Sequence, residues 1–207
     1  YYPSLTATLA WVSAQYTCVL FGWEAVSTTH IVIGALYIVA LYAMNALSPK
    51  IAGRFQVSTT IIKLIPLALM GVVGIIAGLI NGTTIEAFSA VSDTVVGQGG
   101  GMFTAIVAFS FSYEGWIIAT SINSELKDSK KNLPKALIIG ALIVIAAYVL
   151  YFIGLTGAMS VPDMVSAGNA LPKMAFTSIF GNVAGTLVFV FIVISCLGTA
   201  NGLMLGC

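Results

Sequence analysis

In FSFSYEGWIIATS, residues 109–121, a carboxylate at Glu114 stands beside Gly115, between Tyr113 and Trp116, in a stretch that is otherwise apolar. A second ionisable group, Lys63, interrupts VSTTIIKLIPLALM three residues before Pro66, and Ser195, Thr199 and Asn201 interrupt VISCLGTANG. An acid, an amine and hydroxyls set into apolar sequence suit three kinds of chemistry: holding a charged solute, moving a proton, or hydrogen-bonding one helix to another. A lysine amine in such a place can exchange a proton or act as a fixed internal cation. Alternatively it snorkels along its stem to an interface. The sequence has no HExxH pattern and one histidine, His30, at the edge of an apolar run, where it reads as interfacial. No catalytic residue, metal ligand or cofactor is expected.

The elements that must position these groups follow from composition. The chain has 59% hydrophobic and 7% charged residues, against about 25% charged in ordinary soluble domains. Six apolar runs, about 3–21, 30–47, 57–80, 102–121, 137–159 and 183–205, each approach the roughly 20 residues that cross a hydrocarbon core as a helix. The expected fold is all-α, a polytopic membrane protein with six transmembrane helices in a single transmembrane domain, 1–207. Backbone amides in lipid have to be satisfied within each segment, which excludes isolated strands.

Glu114 then falls near mid-depth of the fourth run, where an ionised side chain costs about 2.5–3.5 kcal/mol to insert. Two readings stand open. The helix is continuous with Glu114 protonated or paired, or it breaks at Gly115 and leaves carbonyls and amides for a ligand.

Lys50 and Arg54 lie in the second connection, and Lys127, Lys130, Lys131 and Lys135 in the fourth. By the positive-inside rule those connections are cytoplasmic, which leaves Glu24, Glu86, Asp93 and Asp163 outside. Asn132 and Pro134 carry the signals of a new helix. Glycines four apart, Gly74 and Gly78, and Gly198, Gly202 and Gly206, suit close helix packing. GQGGGM, residues 97–102, matches neither nucleotide-binding pattern and reads as an outer loop. Cys18, Cys196 and Cys207 read as small packing residues. A net charge of +1 gives no reason to expect a nucleic acid partner. The first run lacks a basic leader and cleavage site, so it does not read as a signal peptide, and the chain reads as part of a longer protein.

FSYEGW followed by SELKDSKKNLPKA resembles the sixth transmembrane helix and following loop of amino acid permeases of the amino acid, polyamine and organocation (APC) superfamily. NALSPKIAGRFQVSTTIIKLIPLAL is similar to that family's fourth-to-fifth helix junction, and SCLGTANG to its eighth helix. Asp128 and Ser129 stand where the family has Asn and Pro, a loop departure outside the site.

The resemblance implies that the six runs are the third to eighth helices of a LeuT-like five-plus-five inverted repeat, with a discontinuous fourth helix of this chain. It implies a secondary active transporter of amino acids working by alternating access, sodium-independent, as a proton symporter or an antiporter. Substrate would be held along Phe111, Ser112, Tyr113, Glu114 and Gly115: Phe111 as an aromatic gate, Ser112 and Glu114 through their carbonyls, Gly115 by permitting the break. Lys63, with Ser195 and Thr199, would occupy the place where sodium-coupled relatives bind a cation, a coupling role. The Glu114 side chain is left open by the family. The implied partners are a small-molecule amino acid and the lipid bilayer, with multi-pass placement in a bacterial plasma membrane. The connection GWEAVSTTH has no cysteine, so no disulfide-linked heavy subunit is expected. A membrane-embedded enzyme and a channel or non-transporting sensor are the alternative classes.

Overall fold

The computed structural model describes residues 2–23, 26–89, 101–113, 115–121, 123 and 126–206, the side chains of Phe111, Thr120 and Asn169 excepted. Glu24, Asp93, Glu114, Gly97 to Gly100 and Cys207 therefore lie outside the described residues. Those described form α1 (Tyr2–Phe21), α2 (Ser27–Leu47), α3 (Pro49–Asn81), α4 (Thr83–Ser89), α5 (Gly101–Ser112), α6 (Trp116–Ser121), α7 (Ser129–Ala158), α8 (Val161–Ala167), a 3-10 turn (Gly168–Ala170), α9 (Leu171–Phe180) and α10 (Asn182–Leu205), with no strand among them. By length and composition α2, α3, α7 and α10 can each cross a bilayer. In α1 three polar side chains turn inward, Thr6, Ser13 and Thr17, whereas Ser4, Thr8 and Gln15 are exposed. The Ser13 hydroxyl donates to the Leu9 carbonyl at 2.8 Å, and Thr17 shares a hydrogen bond with the Tyr37 hydroxyl at 2.8 Å.

Two helices begin earlier than their apolar runs. The side chain of Ser48 accepts the Ile51 amide at 3.4 Å and Pro49 sits in the first turn. A cap and a proline at that position start a helix whatever the polarity that follows, so α3 begins at Pro49 rather than near residue 57. It ends at Gly82, whose φ of 77° closes the helix in the left-handed form. α7 likewise begins at Ser129, ahead of the start read from Asn132 and Pro134. The Asn132 amide donates to the Lys127 carbonyl at 2.7 Å instead of opening the helix. Pro134 is accommodated close to the exposed start, where solvent can reach a carbonyl left without its amide.

α3 and α7 pack through glycine. A methyl group on Gly74 would stand 2.8 Å from the carbonyl carbon and the Cα of Gly154, and one on Gly157 would strike the Gly74 carbonyl. The backbones touch because no side chain stands between them. α10 meets α3 through glycine against side chain, with Gly198 on Thr59 and Gly202 on Gln56. Between these glycines Asn201 is fully buried. Its amide donates to the Ala52 carbonyl at 3.2 Å and to Gln56 Oε1 at 3.1 Å, and its Oδ1 accepts from Asn45 of α2 at 2.8 Å. Polar glue, one of the readings open for this stretch, is thus what Asn201 provides.

The connection between α7 and α10 is structured. LPKMAFTSIF forms α9, and its Ala175 and Phe176 join Met70, Leu155, Val188 and Phe189 in the hydrophobic core. His30, in the first turn of α2, is buried edge-on against Trp11, ring centroids 5.2 Å apart.

Candidate functional site

The fourth apolar run is divided. α5 closes with the Tyr113 amide on the Phe109 carbonyl at 3.2 Å, and α6 opens with the Ile118 amide on the Gly115 carbonyl at 3.1 Å. Gly115 between them has a φ of 120°. Among the described residues, its chain neighbours aside, no atom lies within 4 Å of where its Cβ would be. Backbone conformation, then, and not crowding, calls for glycine here: an L side chain is strained at that angle wherever it points.

A helix that stops in apolar surroundings leaves its last carbonyls without amide partners. At the end of α5 the Ser112 carbonyl accepts the Tyr148 hydroxyl of α7 at 2.9 Å. The rings of Tyr113 and Tyr148 meet edge to face at 5.3 Å and 75°. The interruption is therefore fastened to α7 through one hydrogen bond and one aromatic contact.

Beside it opens a cavity of about 680 Å³, bordered by α3, α7, α9, α10 and the interruption. That volume lies in the range of small-molecule sites, about 300–1,000 Å³. Of the residues read from sequence, Lys63, Ser112, Tyr113, Gly115, Ser195 and Thr199 border this one cavity, although they come from three separate parts of the chain. Glu114 lies outside the described residues, as does the Phe111 side chain. Lys63 is half-buried and is the charged group among the described lining residues. One turn along, Pro66 borders the cavity as well. Thr199 spends its hydroxyl on the Ser195 carbonyl of its own helix at 2.9 Å. Ser195 and Thr199 thus present one polar strip of α10 to the cavity that Lys63 borders.

Sequence reasoning missed Trp116, Tyr148, Tyr151 and Phe176, which give the cavity its aromatic wall. Tyr148 and Tyr151 carried a signal, since residues three apart in AAYVLYF share a helix face. Phe176 lay in a stretch read as connection. One cavity thus brings together the Ser112 residue whose carbonyl ends α5, the Lys63 residue of α3, and the aromatic residues Trp116, Tyr148, Tyr151 and Phe176. Such a lining suits a small zwitterion, with a carbonyl oxygen for its ammonium group and rings for its apolar part.

Residues 1–207 match the family model described as amino acid permease over their whole length. The chain is 34% identical to the serine/threonine exchanger SteT of Bacillus subtilis, over 99% of this chain and 45% of that protein. It is 26% identical to the human b(0,+)-type amino acid transporter 1, over 97% of this chain and 41% of that protein. To the human cystine/glutamate transporter it is 26% identical over 82% of this chain and 33% of that protein. The chain thus spans less than half the length of these relatives.

Proposed function

The chain belongs to the amino acid permease family, and from that premise we propose that the protein is a secondary transporter of amino acids, working by alternating access and independent of sodium. The observation that carries this reading is the single cavity bordered by both the helix interruption at Ser112, Tyr113 and Gly115 and the amine-bearing face of α3 at Lys63. The interruption supplies carbonyls for the substrate ammonium. Phe111 and Glu114 complete the substrate side, Phe111 as an aromatic gate and Glu114 through its carbonyl. Lys63, with Ser195 and Thr199, serves as a fixed cation in place of a coupling ion. The substrate carboxylate is taken by a glycine-rich break in a helix that this chain does not contain.

Similarity to a protein named as a serine/threonine exchanger favours exchange over proton coupling and makes L-serine the first substrate to try. The ends carrying Lys50, Arg54 and Lys127 to Lys135 face the cytoplasm of a bacterium, with no disulfide-linked heavy subunit. The test is uptake of labelled L-serine by the full-length protein in liposomes. Internal L-serine is expected to accelerate saturable uptake, and replacing sodium with potassium to leave it unchanged. No saturable uptake of any amino acid across a broad panel, with or without a pH gradient, refutes the reading.

A further inference from the structure

We infer that Tyr148 is the positioning residue of this site: its hydroxyl holds the Ser112 carbonyl at the helix interruption in the orientation that receives the substrate ammonium. The inference rests on the transport reading above. Its basis is the 2.9 Å hydrogen bond from Tyr148 to Ser112, the edge-to-face contact of Tyr148 with Tyr113, and the presence of all three residues on the cavity wall.

A carbonyl inside a helix is aimed along the axis by the amide four residues on. Ser112 is the last residue of α5, and the backbone after it turns away through Gly115. Its carbonyl direction is therefore set by whatever donor reaches it from outside, and that donor is Tyr148. A carbonyl oxygen has two lone pairs, so the tyrosine occupies one and leaves the other for a ligand. The tyrosine hydroxyl polarises the same oxygen it aims, and charge-assisted donors such as an ammonium are sensitive to that. Tyr148 is carried by α7, whose glycines lie against the backbone of α3, the helix of Lys63. The two polar sides of the cavity are thereby referenced to one packed helix pair. Removing the hydroxyl takes away discrimination for the amino group before it takes away apolar binding.

Tyr148→Phe in the full-length protein tests this in liposomes, with L-serine as substrate and 3-hydroxypropionate, which is serine without its amino group, as competing inhibitor. The expected result is a KM for L-serine raised about tenfold, with maximal rate within about twofold and the inhibition constant of 3-hydroxypropionate nearly unchanged. Preference for the amino group then falls about tenfold. Tyr37→Phe removes a different interhelical tyrosine hydrogen bond, to Thr17, and is expected to leave that preference where it is. If Tyr148→Phe does not reach the membrane, 4-aminophenylalanine at position 148 keeps the ring and a hydrogen-bond donor at the same place. Preference for the amino group is then expected to stay within about threefold of the wild type. Uptake with unchanged preference in Tyr148→Phe, or a preference lost although the aminophenylalanine donor is present, overturns the inference alone. Absence of saturable uptake by the wild-type protein overturns the transport reading and this inference with it.

Discussion

Gly74→Ala and Gly53→Ala place the same methyl group on the same helix and are expected to act in opposite directions. At Gly74 the added carbon arrives 2.8 Å from two backbone atoms of Gly154 and closer still to its carbonyl oxygen. Carbon atoms rest at about 3.5–4.0 Å, so α3 and α7 have to part by about 1 Å along that contact. No side-chain rotation relieves this, because the obstacle is main chain. Overpacking of this kind costs about 1–3 kcal/mol, and backbone against backbone belongs at the upper end. At Gly53 nothing lies within 4 Å of the new carbon, and alanine in a helix is favoured over glycine by about 0.5–1 kcal/mol. The two variants therefore differ by roughly 2–4 kcal/mol, the sum of those terms. Thermal unfolding of the full-length protein in detergent, followed by tryptophan fluorescence and by loss of the monodisperse peak, reads the difference. Gly74→Ala is expected to melt several degrees below the wild type, with Gly53→Ala at or above it. Equal shifts for the two, or a Gly74→Ala variant as stable as the wild type, would refute backbone contact as the reason for glycine there.

Lys63→Ala is expected to abolish or strongly reduce uptake while membrane insertion stays intact; unchanged uptake and pH dependence would return Lys63 to a snorkelling role. Asn201→Leu removes a fully buried amide that serves Ala52, Gln56 and Asn45, and a loss of about 2–4 kcal/mol is expected because partners are left unpaired. A melting temperature equal to that of the wild type would contradict it. Gly115→Ala is expected to lower uptake sharply even though space is free around the position, since φ and not volume is at issue; wild-type uptake in that variant would show that the interruption does not depend on the angle. For Glu114, an unchanged preference between neutral and cationic amino acids in Glu114→Gln would exclude its side chain from selectivity.

Positions that differ chemically from their surroundings were legible in the sequence. Lys63, the interruption at Ser112, Tyr113 and Gly115, and the Ser195/Thr199 strip stood out against apolar runs, and they border one cavity. Gly74 and Gly78 were legible from spacing alone, although their partners Gly154 and Gly157 lie about 80 residues away and could not be named from it. What escaped notice resembles its background. Tyr148 and Tyr151 sit in an apolar helix where aromatic residues are unremarked, and only three-dimensional placement brings one of them to a carbonyl. The start of α3 was missed because apolar runs mark the bilayer, whereas capping by Ser48 and Pro49 marks the helix. α9 was missed because a ten-residue helix lies below the length of a span, although Pro172 and Gly181 bracket it with start and stop signals.

The length of α3 also has a kinematic consequence. Its 33 residues measure about 50 Å, beyond the roughly 30 Å of a hydrocarbon core. Pro66, where the helix lacks one amide, stands about 25 Å from the Pro49 end at 1.5 Å per residue. Pivoting by about 10° there sweeps that end through roughly 4 Å, while the cavity wall beside the pivot hardly shifts. A bend at Pro66 would therefore move the Pro49 end far more than the cavity wall, and Asn201, bonded to the Ala52 carbonyl and to Gln56, ties that end to α10.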